Sequence, residues 1–109
     1  MKCTLYYRDD ELLKSKVTAC LEGGVLYVTG RDTGPEVEKF FGYDEYDYLL
    51  SLSRDNTARF FEALGCEGMP ERTQMEMVWR RFSGVAPVSE IMRYCDEYGI
   101  QTTVWDESR

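Results

Sequence analysis

Two alternating runs, KVTACLE (16–22) and VLYVTG (25–30), are separated by nothing but Gly23-Gly24. A link of two glycines closes an antiparallel hairpin and cannot carry a parallel crossover, which needs a dozen residues or more. In the first run Val17, Ala19 and Leu21 share one side. Upstream, KCTLYYR (2–8) is also strand-like, with Cys3, Leu5 and Tyr7 placed together by period-two alternation. DDELLK (9–14) joins it to the hairpin as a polar turn with an apolar Leu pair. The three runs predict an antiparallel meander.

The next segment, RDTGPEVEKFFG, changes period. Pro35 suits a first helical turn, Glu36 and Glu38 suit its positive end, and Gly42 supplies a stop. Val37, Phe40 and Phe41 fall on one face of a short helix of about two turns, too short to persist without tertiary packing. From Tyr46 to Ser53 the alternation returns, setting Tyr46, Tyr48, Leu50 and Leu52 against Asp47, Leu49, Ser51 and Ser53. Tyr43, Asp44 and Glu45 form the turn that feeds this fourth strand.

Three helical stretches follow. Ser53 or Asp55 can cap the first, which carries Phe60, Phe61 and Leu64 to a stop at Gly65. CEGMPER is a loop. The second opens at Pro70 and repeats Met75, Val78, Trp79 and Phe82 at helical spacing. The third begins near Pro87, expects Val88, Ile91, Cys95 and Tyr98 inside, and ends at Gly99. QTTVW (101–105) is a last short strand that must return to the sheet. Together these elements predict one α+β domain over residues 1–109: about five mostly antiparallel strands with three to four helices on one face.

Charge is distributed unevenly. The chain carries 20 acidic and 13 basic residues, a net of −7, and residues 32–47 alone hold Asp32, Glu36, Glu38, Asp44, Glu45 and Asp47 against Lys39. That sign opposes nucleic-acid and anionic-membrane binding and favours a basic protein partner. The arginines at 72, 80, 81 and 93 do not reverse it, because Glu71, Glu76 and Glu90 interleave with them as on a solvated, ion-paired helix face. No apolar run reaches the length of a membrane span, and MKCTLYYRDD turns charged too early for a signal peptide, so the expected location is the cytoplasm.

Chemistry-bearing patterns are sparse. The four cysteines, at 3, 20, 66 and 95, form no CxxC pair, and the chain has no histidine. Paired zinc ligands and the usual Ser-His or Cys-His nucleophiles are therefore missing, and buried free thiols are expected. The acidic stretch lacks the ordered ligands and glycine of a calcium loop. The glycines of EGG and TGRDTG match no phosphate-cradling motif. No metal, cofactor or catalytic residue is expected, and the reading is not an enzyme.

Several segments are shared with a known group. GRDTGPEVEKFFGYDEYDYLLSLS, FFEALG, RFSG and YCDEYGIQTTVW resemble small uncharacterised bacterial proteins. That group has a G-x-D-x-G-P-x-V-E segment, an acidic Y-[DE]-Y strand and a terminal E-x-G-I-x strand. The likeness covers roughly residues 22–105, and the group is in turn similar to the acidic immunity proteins of bacterial toxin systems. It implies a non-enzymatic inhibitor docking a basic partner, with no catalytic residues. Glu36, Glu38, Asp44, Glu45 and Asp47 are then expected along one exposed rim, with Tyr43 as an aromatic anchor. The alternative is a regulatory or structural adaptor whose acidic face only aids solubility.

Overall fold

The computed structural model describes residues 1–108. Its sheet is a five-stranded antiparallel meander: β1 (Lys2–Asp9), β2 (Lys14–Glu22), β3 (Val25–Thr33), β4 (Glu45–Ser51) and β5 (Thr103–Ser108) lie side by side in chain order. α1 (Pro35–Phe41) sits between β3 and β4, while α2 (Arg54–Leu64), α3 (Glu71–Phe82) and α4 (Pro87–Glu97) intervene before β5. The α+β architecture is as expected. β5 takes the edge beside β4, with Leu50 opposite Val104 and Tyr48 opposite Asp106.

The hairpin link sets the register of the sheet. Gly23 and Gly24 adopt φ of 57° and 78°, the positive angles a two-residue turn requires and a side chain resists. Glu22 then pairs with Val25, and the ladder runs unbroken to Lys14 opposite Thr33. Val17, Ala19, Leu21, Leu26, Val28, Leu50 and Leu52 consequently share the inner face, and each is at most 3% exposed. Helices α2 to α4 cover that face with Phe60, Phe61, Met75, Val78, Phe82, Ile91 and Cys95 in one continuous core. Ser53 caps α2 by accepting the Asn56 N–H at 3.2 Å, the first of the two caps the sequence offers.

Four expectations about facing are corrected. The β1–β2 register shifts between Thr4 and Tyr6, so Leu5 is the extra residue of a bulge. Beyond it the alternation inverts: Tyr6 packs against the core, and Tyr7, expected beside Cys3 and Leu5, is 62% exposed. In α1 only Val37 is buried; Phe40 and Phe41 are 74% and 48% exposed, because this short helix rests on the end of the sheet and offers it one residue's width. Trp79 lies at the margin of the α3 stripe and is half exposed. In α4 the buried aromatic is Tyr94 rather than Tyr98, and Tyr94 meets the rings of Phe60 and Phe82 edge-on.

Candidate functional site

Both candidate surfaces lie at the end of the sheet away from the Gly23-Gly24 hairpin. There β3 leads into α1, which is tied down by backbone bonds. The Glu36 N–H donates to Leu12 O at 3.0 Å and the Gly34 N–H to Asp44 O at 3.1 Å. The turn between β1 and β2 is itself closed by Asp10, whose carboxylate accepts the Leu12 and Leu13 N–H groups and the Arg8 guanidinium. Those three donors hold the Asp10 carboxyl down at about 2. α1 is thereby fixed to a rigid corner, with its outer surface turned to solvent.

That outer surface carries most of the acidic stretch. Glu38 and Asp44 are exposed, as expected. Glu36, Glu45 and Asp47 are half-buried and ion-paired, which corrects the picture of one uniformly exposed rim. Glu36 meets Arg8 at 3.5 Å. Glu45 meets Arg31 at 2.9 Å and Asp47 meets it at 3.8 Å, both from the outer face of the sheet, where register places 31, 45 and 47. Tyr43 is 57% exposed between Phe41 and the acidic turn. The rim acids without an ion pair among the described residues are therefore Glu38 and Asp44, and beside them stand Phe40, Phe41 and Tyr43. Leu12, bonded to the first turn of α1, is also 56% exposed.

The inner face at the same end is a cleft of about 580 Å³ between the sheet and the start of α4. Its floor holds Tyr6, Arg8, Ser15, Asp32, Tyr46 and Tyr48, and its lid holds Pro87, Val88 and Met92. Tyr46 and Tyr48, expected in the core, are half-buried walls of this cleft. Phe41 stacks on Tyr46 with ring centroids 4.5 Å apart, and Tyr46 leans on Tyr48 at 5.3 Å. Room for the Tyr48 ring comes from Gly30, directly opposite it in β3. A Cβ built there would lie 2.0 Å from the ring.

Within the cleft, Ser15 donates to Asp32 Oδ1 at 2.5 Å and the Tyr48 hydroxyl donates to the same oxygen at 3.4 Å. Tyr48 loses its proton with difficulty. Burial pushes its pKa up and the charge on Asp32 pushes it further. Tyr46 is raised in the same direction by burial and by its bond to Asp106 at 2.9 Å. The composition of residues 32–47 includes Asp32 only as one acid among six, and Ser15 belongs to none of the candidate sites read from the sequence. A signal was present: extending the inward alternation outward from Val17 and Val28 reaches Ser15 and Asp32, polar residues in a core register.

The thiols lie elsewhere. Cys20, Cys66 and Cys95 are buried and Cys3 half-buried, all four free. Burial raises Cys3, Cys66 and Cys95, Cys95 to about 11, the opposite of what a nucleophilic thiolate requires. Among the described residues no three Cys, Asp or Glu side chains are grouped to hold a metal ion, and no helix is long and apolar enough to cross a membrane. In comparisons with known proteins, no family model, no curated protein and no solved structure matches the chain.

Proposed function

We propose that this protein is a non-enzymatic binding domain that docks a basic protein through the α1 rim. The observation that carries the reading is the exposure of Phe40, Phe41 and Tyr43, at 74%, 48% and 57%, beside the carboxylates of Glu38 and Asp44, which make no ion pair among the described residues. Three large rings within four residues of a rigid corner supply contact area with few rotamers to freeze. The carboxylates supply long-range attraction to a cationic partner. The resemblance to immunity proteins makes a cytoplasmic toxin with a cationic active site the partner class this reading favours, the protein acting as its inhibitor.

A second reading has its own support. Glu36, Glu45 and Asp47 are spent on Arg8 and Arg31, so half of the acidic stretch balances charge inside the molecule. An adaptor whose acids serve solubility needs nothing more.

The experiment uses the product of the adjacent gene, co-expressed and purified, with association followed at several salt concentrations. A basic neighbour that binds fast at low salt, is slowed by Glu38→Lys/Asp44→Lys and is lost on Phe40→Ser/Tyr43→Ser supports docking at the rim. A neighbour that is no toxin, or one that binds both variants like the wild type, overturns it.

A further inference from the structure

We propose that the cleft between the sheet and α4 is a binding site for a small organic cation with an apolar stem, of the alkylammonium class. The site differs from the α1 rim, and the inference does not rest on the docking reading.

Asp32 is the carboxylate among the described residues lining the cleft. It is half-buried on the cleft floor, and both of its hydrogen bonds converge on one oxygen, Oδ1. No described Lys or Arg lies within ion-pair distance of it: the neighbouring Arg31 points outward to Glu45 and Asp47. Arg8, the one cation lining the cleft among the described residues, is held by Asp10 at 2.6 Å and Glu36 at 3.5 Å, which offset its charge. Asp106, exposed on β5 outside the cleft lining, accepts the Tyr46 hydroxyl and helps fix that ring. A carboxylate withdrawn from water without a counter-cation is electrostatically incomplete, and a bound ammonium group would complete it.

Shape and wall chemistry agree. Tyr6, Tyr46 and Tyr48 stand around the same floor, and tyrosine ring faces attract cations within about 6 Å of their centroids. Phe41 stacked behind Tyr46 and Gly30 behind Tyr48 hold two of these rings in place. Across from them Val88 and Met92 of α4, and beside them Val104 of β5, offer an apolar surface for a short alkyl stem. The volume, about 580 Å³, falls within the ordinary range for small-ligand sites. An anionic ligand would meet Asp32 with no unpaired Lys or Arg among the described lining residues to receive it.

The test is a titration of the full chain with n-butylammonium, followed by backbone-amide NMR at fixed ionic strength, with n-butanol as the neutral counterpart. Saturable shifts at Ser15, Asp32, Tyr48 and Val88, at least about tenfold weaker with butanol, support the site. Asp32→Asn is expected to weaken the amine at least about tenfold while leaving butanol unchanged. Should that variant not fold, the amine-against-butanol comparison in the wild type decides alone. Butanol binding as tightly as the amine, or amine shifts scattered over the surface away from these residues, overturns the proposal. No protein partner is present, so the result stands apart from whether the rim docks one.

Discussion

The two ends of the inner sheet face follow the same alternation and meet opposite fates. At the hairpin end, Leu21, Leu26, Val28, Leu50 and Leu52 vanish beneath α2, α3 and α4. At the α1 end the same register delivers Ser15 and Gly30, which are buried, and Asp32, Tyr46 and Tyr48, which are covered only in part. The strands are longer than the helical layer that shields them. Where the layer stops, apolar residues give way to Asp32, Tyr46 and Tyr48, because a half-covered position must remain compatible with water, while the buried Ser15 hydroxyl is satisfied by Asp32. The sealed end supplies stability, and the open end supplies surface that stability does not require.

The largest expected effect breaks the sealed end. Phe60 is fully buried and touches the rings of Phe61, Phe82 and Tyr94. Phe60→Ala should cost about 3–5 kcal/mol, much of a small domain's stability, read as a collapse of the urea midpoint. A loss under about 1 kcal/mol would show that the aromatic cluster is not the centre of the core.

The next effect tests whether the open end is rigid. Gly30→Ala drives a methyl into the Tyr48 ring, for which overpacking predicts a loss of about 1–3 kcal/mol. Because the conflict is with one side chain, Gly30→Ala/Tyr48→Ala should be less destabilised than the sum of its single variants. Strict additivity in that cycle would mean the ring is free to swing away, and the cleft has no fixed wall.

A smaller effect concerns pH. Tyr48 has a folded-state pKa raised above its unfolded value, so the folded protein keeps a proton that the unfolded chain releases. Its contribution is complete below about pH 10 and is lost as pH rises beyond it. The urea midpoint should therefore fall more steeply above about pH 10 in the wild type than in Tyr48→Phe. Equal slopes would place the Tyr48 hydroxyl in open water.

These contrasts show how far the sequence could be read. The meander was legible because Gly23-Gly24 leaves no alternative, and the capped helices because Ser53, Pro87 and the glycine stops are local signals. The bulge at Leu5 was hidden by Tyr6 and Tyr7, identical neighbours either of which can fill an inward position. Phe40, Trp79 and Tyr98 fall at helical spacing yet stand half or more exposed, Tyr98 already beyond the end of α4, because the width of a buried stripe is set by what it packs against. The edge position of β5 and the meeting of Arg8, Ser15, Asp32 and Tyr48 are long-range events that no single segment encodes. The rim was legible as composition, while its division into free and paired acids waited on the position of Arg31.

That division yields the finest test, one that separates charge inside the molecule from charge offered outward. Glu38→Lys/Asp44→Lys alters two exposed acids that make no ion pair among the described residues. Glu45→Lys/Asp47→Lys makes the same formal change but sets two cations against Arg31 on the outer sheet face. The first pair should leave the melting temperature nearly unchanged, within about 0.5 kcal/mol. The second should lower it measurably, since lost attraction is replaced by repulsion, and the deficit should shrink at about 1 M salt, where screening reaches a few ångströms. If both pairs melt alike, the Arg31 bridges contribute nothing and the whole stretch is one solvated surface. If the first pair melts lower, Glu38 and Asp44 are structural, and the rim loses the two carboxylates that make it a docking surface.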